Sequence, residues 1–124
     1  MVCATAEIRL DNLATIRADV VTAAQECGVS RTRAENFAVA VNEAAINTIR
    51  YAGGTGTITT RTDDSTLIAE VTDHGSGFVP ALDSRIPDAG SLHGRGLWMA
   101  RGLCDRLDIR STLTGTHVRL SVSA

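Results

Sequence analysis

The 124-residue chain is poor in aromatic residues, which make up only 3% of it, and it has only three cysteines and two prolines. Its core must therefore be built mainly from Ala, Val, Leu and Ile. Hydrophobic residues at 44% and charged residues at 21% are ordinary for a globular protein, so wholesale disorder is not expected. The length suits a single domain over residues 1–124.

Other absences exclude whole classes of function. Cys3, Cys27 and Cys104 are an odd, widely spaced set without a C-x-x-C pair, so neither a disulfide framework nor a zinc site is indicated. The net charge is −2 and no basic block occurs, which argues against a nucleic-acid or anionic-membrane surface. No apolar run approaches the roughly 18 residues that a membrane span requires. We expect a cytoplasmic protein that does not contact nucleic acid or membrane.

Hydrophobic periodicity predicts three helices and five strands. Helical spacing places helices at 11–28, 31–52 and 96–107, and apolar alternation places strands at 4–10, 56–62, 66–72, 107–113 and 116–123. Both prolines fall in the segment 79–93, which is predicted to be an irregular loop and a functional lid. The order predicts an α+β fold, a two-layer sandwich with three helices on one face of a mixed, mostly antiparallel sheet.

Polar residues gather on one face of the second predicted helix. Glu43 and Asn47 are spaced i, i+4, and Arg50 and Tyr51 continue that face. A carboxylate, an amide and a guanidinium in line could hold a polarised hydroxyl, a hard cation and a phosphate, and oxygen ligands suit Mg²⁺. Taken alone, E-x-x-x-N is a weak motif that is more typical of a solvated helix face.

Two glycine motifs follow strands or open helices. In D-x-G-x-G-F, Asp73 could accept a hydrogen bond from the 6-amino group of adenine, while Gly75 and Gly77 would let a flat ring approach the backbone. Gly94 and Gly96 are predicted to precede the third helix immediately, where free N–H groups favour anions. Alone, each motif is also typical of a turn, and neither a dinucleotide fingerprint nor a Gly-Lys-Ser/Thr phosphate loop occurs.

The order of the three motifs is more specific than any one of them. E-x-x-x-N on a helix, D-x-G-x-G-F after a strand, a loop and then G-x-G-L at a helix resembles the ATPase domain of the GHKL superfamily, shared by gyrase, histidine kinases and mismatch-repair proteins. The spacing is most similar to that of the anti-sigma-factor serine/threonine-protein kinases. The resemblance extends from about Glu7 to Val122 and implies a Bergerat-type ATP-binding fold.

The resemblance assigns roles residue by residue. It implies that Asn47 is the Mg²⁺ ligand, that Glu43 activates the attacking hydroxyl, and that Asp73 meets the adenine amine. The rest of the implied ATP site comprises Arg50, Tyr51, Gly75, Gly77, Phe78, Gly94, Arg95, Gly96, Leu97 and Thr116, the last as support for the acid. The chain departs from the family pattern at Thr48, where a small residue is common, and at Tyr51, where histidine is common.

The resemblance also implies a function. A Mg²⁺-ATP-dependent kinase of this type would phosphorylate an antagonist (anti-anti-sigma) protein on Ser or Thr, and it would sequester a sigma factor as its other partner. A homodimer is expected. Two alternatives remain open: a non-catalytic regulator that binds ATP or only partners, and a detached histidine-kinase catalytic domain. The chain has no helical-hairpin phosphoacceptor domain of its own.

Overall fold

The computed structural model describes residues 3–51, 56–73, 92–112 and 115–124. Three helices and five strands lie within these residues. In chain order they are β1 (Cys3–Glu7), a 3-10 turn (Leu10–Asn12), α1 (Leu13–Glu26), α2 (Arg31–Tyr51), β2 (Gly56–Asp63), β3 (Thr66–Asp73), α3 (Leu92–Arg101), β4 (Arg106–Thr112) and β5 (Gly115–Ser123).

The five strands form one sheet in the order β1-β2-β3-β5-β4. Every strand pair within the described residues is antiparallel, so the predicted α+β sandwich is confirmed and its sheet contains no parallel pair there. The β2–β3 hairpin turns at Asp64, whose φ of 55° is in the left-handed region that aspartate tolerates. Gly115 begins β5 with a φ of 152°, a conformation that favours glycine.

All three helices cover the same face of the sheet, and α2 lies between α1 and α3. On the inner face of α2, Phe37, Val41 and Ala45 stand at helical spacing and are fully buried against the strands. Small residues dominate this face, so the helix backbone can lie close to the sheet. None of the described helices is long and apolar enough to cross a bilayer.

Charged residues fasten the start of α2 to the far end of the sheet. Arg33 donates to Asp105 Oδ1 and to the carbonyl oxygen of Ser123, each at 2.7 Å. The second oxygen of Asp105 accepts the N–H of Ser123, also at 2.7 Å. One carboxylate thus joins α2, the turn after α3 and the last strand, which fixes α3 relative to α2.

The prediction for α3 was wrong at both ends. The helix begins at Leu92 rather than at Gly96, and it ends at Arg101 rather than at Leu107. Gly94 and Gly96 therefore lie inside the helix instead of preceding it. The chain turns after Arg101 and then enters β4. Successive side chains of a strand point to opposite faces of the sheet, so Leu107 is buried while Arg106 and Asp108 are exposed.

Candidate functional site

The C-terminal part of α2 carries buried polar side chains, which is unusual for a helix face packed on a sheet. Asn47 is 7% exposed and Thr48 is 2% exposed, whereas Arg50 is exposed. The Nδ2 atom of Asn47 is fully buried and has no hydrogen-bond partner among the described residues. A buried amide without a partner costs about 1–3 kcal/mol, so a solvated helix face does not account for Asn47.

Glu43 lies one turn before Asn47 and reaches α3. A Cβ built on Gly96 would stand 2.7 Å from Glu43 Oε2, so the carboxylate rests on the bare backbone of this glycine. Leu97 is fully buried beside it and anchors α3 to the core. The first and third sequence motifs therefore meet in space.

The start of α3 revises the predicted roles of the two glycines. Only the first four N–H groups of a helix lack an internal partner, and Gly94 lies within that first turn of α3. Gly96 is the fifth residue of the helix, and regular helix geometry pairs its N–H with the carbonyl of Leu92. The missing side chain of Gly96 leaves room for the Glu43 carboxylate, and its role as a phosphate-binding amide stays a prediction.

Asp73 ends β3 and is held by the neighbouring strand. Its Oδ1 accepts the backbone N–H of Thr116 at 3.1 Å, and the two residues are 7% and 4% exposed. The structure therefore brings together the predicted acid and the predicted threonine. Burial and an N–H donor together keep the carboxylate in one orientation, as hydrogen-bond recognition of a base requires.

Two further residues join α2 to the Asp73 strand, and sequence reasoning gave them no role in the site. Gly56 is the cross-strand neighbour of Asp73 in the β2–β3 ladder. A Cβ on Gly56 would overlap the Cγ2 methyl of Thr48, so the methyl of Thr48 occupies the space above Gly56. The signal in the sequence was a third glycine, Gly56, shortly after Gly53 and Gly54.

Several predicted site residues lie outside the described parts of the structure. These are Gly75, Gly77, Phe78 and most of the lid 79–93. Tyr51 and Arg95 lie in the described backbone of α2 and α3, but their side chains are outside it. The described residues of the predicted site thus include Glu43, Asn47, Asp73, Gly96 and Thr116. The loop between β3 and α3 lies outside the described residues.

The donor set near Asn47 fits Mg²⁺ better than a transition metal. Among the described residues, no three His, Cys, Asp or Glu side chains lie close enough to hold a metal by themselves. Magnesium needs no such cage, because it keeps several waters and takes one or two protein oxygens together with substrate phosphates. The amide oxygen of Asn47 and the carboxylate of Glu43 one turn away fit this pattern. The unpaired Nδ2 of Asn47 is a donor, which suits a phosphate oxygen rather than the metal.

Comparison with known proteins gives a consistent result. Residues 6–122 match the family model of the histidine kinase-like ATPase domain. A search of curated proteins finds no match.

Among solved structures, the RsbU and RsbW domains of Rv1364c from Mycobacterium tuberculosis superpose with a TM-score of 0.67 at 18% identity, covering 98% of this chain and 31% of that one. The histidine kinase domain of the Erythrobacter litoralis EL346 blue-light activated histidine kinase gives 0.60 at 20% identity, with 89% and 64% covered. Acinetobacter baumannii histidine kinase AdeS gives 0.56 at 14% identity, with 99% and 68% covered.

The chain spans less than a third of the first of these structures and about two thirds of the other two. At these identities the superpositions show the fold alone. The family model, in contrast, covers nearly the whole chain. This chain belongs to the histidine kinase-like ATPase domain family, whose members bind ATP in a kinase-like fold.

Proposed function

We propose that this chain is a Mg²⁺-ATP-dependent serine/threonine-protein kinase of the anti-sigma type, with one domain over residues 1–124. The observation that carries the proposal is the contact between the Glu43 carboxylate and Gly96, one helical turn from Asn47. It places an acid between the helix that would hold the metal and the helix that would hold the phosphates. A protein that only binds ATP has no need of an acid at this point.

In the proposed reaction, a Ser or Thr hydroxyl oxygen of the antagonist protein attacks the γ-phosphorus of ATP. A new O–P bond forms, the bond to the β–γ bridging oxygen breaks, and ADP leaves. Glu43 accepts the hydroxyl proton or orients it, because phosphoryl transfer depends mainly on positioning and charge neutralisation. Asn47 would hold Mg²⁺, which supplies charge neutralisation at the phosphates.

The remaining residues would bind and orient the nucleotide. Asp73, held by Thr116, would accept the 6-amino group of adenine, while guanine would present a carbonyl oxygen there. The N–H of Gly94 would face a phosphate at the start of α3. Gly75, Gly77 and Phe78 would contact the ring, and Arg50, Tyr51 and Arg95 would surround the phosphates beneath the 79–93 lid.

The proposal includes partners and a location. The partners would be a sigma factor and an antagonist protein, as the resemblance of the three motifs to the anti-sigma-factor kinases implies. The described cysteines are all free, as expected in the cytoplasm. A homodimer would use the β1 edge, whose five residues are all exposed, and the neighbouring groove beside α1 lined by Ala4, Ala6, Ile16 and Val20.

A second candidate function is a detached histidine-kinase catalytic domain. The observation that favours it is that two of the structural neighbours are histidine kinases. The two candidates predict different products, because phosphoserine and phosphothreonine survive acid whereas phosphohistidine does not. Acid treatment of the labelled partner therefore separates them.

The first experiment is calorimetric titration with ATP and with GTP, each with and without Mg²⁺. We expect binding of Mg²⁺-ATP that GTP does not match. In Asp73→Asn, the amide oxygen can keep the bond to the Thr116 N–H while the NH₂ group replaces an acceptor with a donor. This variant should lose ATP and shift its preference toward nucleotides with a 6-oxo group; no binding of any nucleotide by the wild type would refute the proposal.

The second experiment separates catalysis from binding. Glu43→Ala should abolish phosphoryl transfer to the partner and spare ATP binding. Glu35→Ala is the matched control, since Glu35 lies on the same helix and is exposed, and its one ion pair within the described residues is with Arg31 at 3.7 Å. Transfer by Glu43→Ala at the wild-type rate would remove Glu43 from the mechanism and favour a non-catalytic regulator.

A further inference from the structure

The sheet has a second face that the three described helices do not cover. Side chains on this face alternate with those of the core, and Ile68 is buried there outside the main hydrophobic cluster. We call it the open sheet face and define it on the strands β3, β5 and β4 together with Arg61 of β2. Its residues are Arg61, Thr66, Ile68, Glu70, Thr72, Arg106, Asp108, Arg110, His117, Arg119, Ser121 and Ser123.

The β4–β5 half of the open sheet face is basic, although the chain as a whole has a net charge of −2. By strand register, Glu7 and Asp63 lie on the same side of the sheet, so its four carboxylates balance its four arginines as a whole. On β4 and β5, however, Arg106, Arg110 and Arg119 stand against a single carboxylate, that of Asp108. Positive charge is therefore concentrated on this half of the sheet.

The carboxylates of Glu70 and Asp108 already have cationic partners. Glu70 accepts hydrogen bonds from Arg61 and, at 3.1 Å, pairs with His117 Nε2. Asp108 Oδ2 pairs with Arg106 Nε at 2.9 Å.

Arg119 stands directly between Glu70 and Asp108 in the strand register, yet neither carboxylate turns to it. Among the described residues, its exposed guanidinium makes no ion pair. The central cation of this face is thus available to an anion from outside.

Arg119 also borders a depression of about 280 Å³. The side chains around it are Thr66, Ile68, Arg106, Asp108, Arg119 and Ser121. Ile68, 7% exposed, supplies an apolar floor, and two guanidinium groups and two hydroxyls supply donors on its walls. A planar guanidinium matches the two oxygens of a carboxylate, and arginine is favoured at protein interfaces. The depression has the size of one or two amino-acid side chains rather than of a nucleotide.

We propose that the open sheet face docks an acidic segment of a protein partner. An Asp or Glu carboxylate of that segment would enter the depression between Arg106 and Arg119, and a neighbouring apolar side chain would cover Ile68. The surface lies on the side of the sheet opposite Glu43 and Asn47, so this docking neither uses nor blocks the nucleotide site. The proposal does not depend on the kinase activity proposed above.

Charge and composition argue against the other occupants. A second copy laid face to face would bring arginines against arginines, and like charges in contact cost binding energy. A nucleic acid would meet Asp108 and Glu70, and the described residues of this face include no Phe, Tyr or Trp on which bases could stack. An acidic segment with an occasional apolar side chain satisfies both the cations and Ile68.

The test uses a fluorescein-labelled peptide, Glu-Leu-Glu-Glu-Leu-Glu, and fluorescence anisotropy with the full chain in the absence of nucleotide. We expect saturable binding that weakens as salt rises, because exposed charges are screened. Replacing every Glu of the peptide by Gln should abolish binding. Arg119→Glu and Arg106→Glu should each weaken binding by about tenfold or more.

Arg31→Glu is the matched control, since it makes the same charge change at an exposed arginine on α2. It should bind the peptide as the wild type does. Arg119→Gln, which removes the charge without reversing it, should give an intermediate loss and guards against a folding defect in Arg119→Glu. ATP titration of the Arg119 variants should be unchanged, which separates this proposal from the nucleotide site.

Three results would overturn the proposal. The first is the absence of saturable peptide binding by the wild type, and the second is an equal loss in Arg31→Glu. The third is a different occupant: a short oligothymidylate that binds more tightly than the peptide and is released by Arg119→Glu, or a homodimer that Arg119→Glu dissociates in sedimentation.

Discussion

The contact between Glu43 and Gly96 leads to a sharp prediction for Gly96→Ala. The new Cβ would stand 2.7 Å from Glu43 Oε2 and 3.7 Å from Cδ. Nonbonded heavy atoms pack at about 3.5 Å or more, so the carboxylate must move by roughly 0.8 Å. Because the atom displaced is the end of a flexible side chain, the carboxylate moves and the two helices stay in place.

Gly96→Ala should change the stability of the protein little but slow phosphoryl transfer strongly. Moving Glu43 off its rotamer costs about 0.5–1.5 kcal/mol, while alanine in place of glycine inside a helix gains about 0.8–1.0 kcal/mol. These terms nearly cancel, so we expect the melting temperature to change little. A catalytic group displaced by about 1 Å can lose about 100-fold in rate, and we expect a loss of that order in phosphoryl transfer.

The assay compares transfer from labelled ATP, ATP affinity by calorimetry, and thermal unfolding in the same variant. Gly102→Ala is the control, because the nearest described atom that its Cβ would meet is the Met99 carbonyl oxygen, at an ordinary 3.6 Å. Gly102→Ala should behave as the wild type in all three measurements. Transfer by Gly96→Ala at the wild-type rate would show that the position of Glu43 does not limit the reaction, and the reasoning would fail.

Three further predictions rest on single residues. Asn47→Leu should raise the melting temperature of the ligand-free protein, because it removes a buried amide atom that has no partner among the described residues. The same variant should abolish the Mg²⁺ dependence of ATP binding. A melting temperature lower than that of the wild type would contradict this. The hydrogen bond from Arg61 leads the causes that lower the pKa of the Glu70 carboxyl, so its stabilising effect is present above the unfolded pKa and is lost as pH falls through the lower folded value. Urea unfolding should therefore show a difference between wild type and Glu70→Gln that is constant above about pH 4.3 and shrinks below it, and a difference that does not change with pH would refute the assignment. Iodoacetamide at neutral pH should label the exposed Cys3 before Cys104, since burial raises the pKa of the Cys104 thiol to about 11; equal rates in peptide mapping would contradict the packing of that turn.

The parts of the fold that could be predicted from the sequence are the helices and strands that local hydrophobic periodicity determines. The alternation of apolar and polar residues predicts the strands of both hairpins, and the helical spacing of Phe37 and Val41 indicates the buried face of α2. The partnership of Asp73 and Thr116 was also expected, although only through the resemblance to a known family. The contact itself joins residues far apart in the chain, and no local pattern contains it.

The parts that could not be predicted depend on contacts between distant segments. Two glycines two residues apart normally argue for a loop, and the sequence offered no reason to place Gly94 and Gly96 inside a helix. The reason lies on α2, where Glu43 needs a neighbour without a side chain. Gly56 is a similar case, because its lack of a Cβ matters only when Thr48 is packed above it.

These contacts suggest why α2 keeps polar residues where an apolar core would be more stable. Asn47 leaves an amide nitrogen buried and unpaired among the described residues, and Thr48 makes only a weak 3.5 Å bond to the Ala44 carbonyl. Leucine or valine at these positions would avoid both costs. Polar groups kept at such a cost are typical of sites that wait for a ligand, which would supply the missing partner. If Mg²⁺-ATP is that ligand, it should stabilise the wild type more than Asn47→Leu, because only the wild type has an unmet hydrogen bond to satisfy.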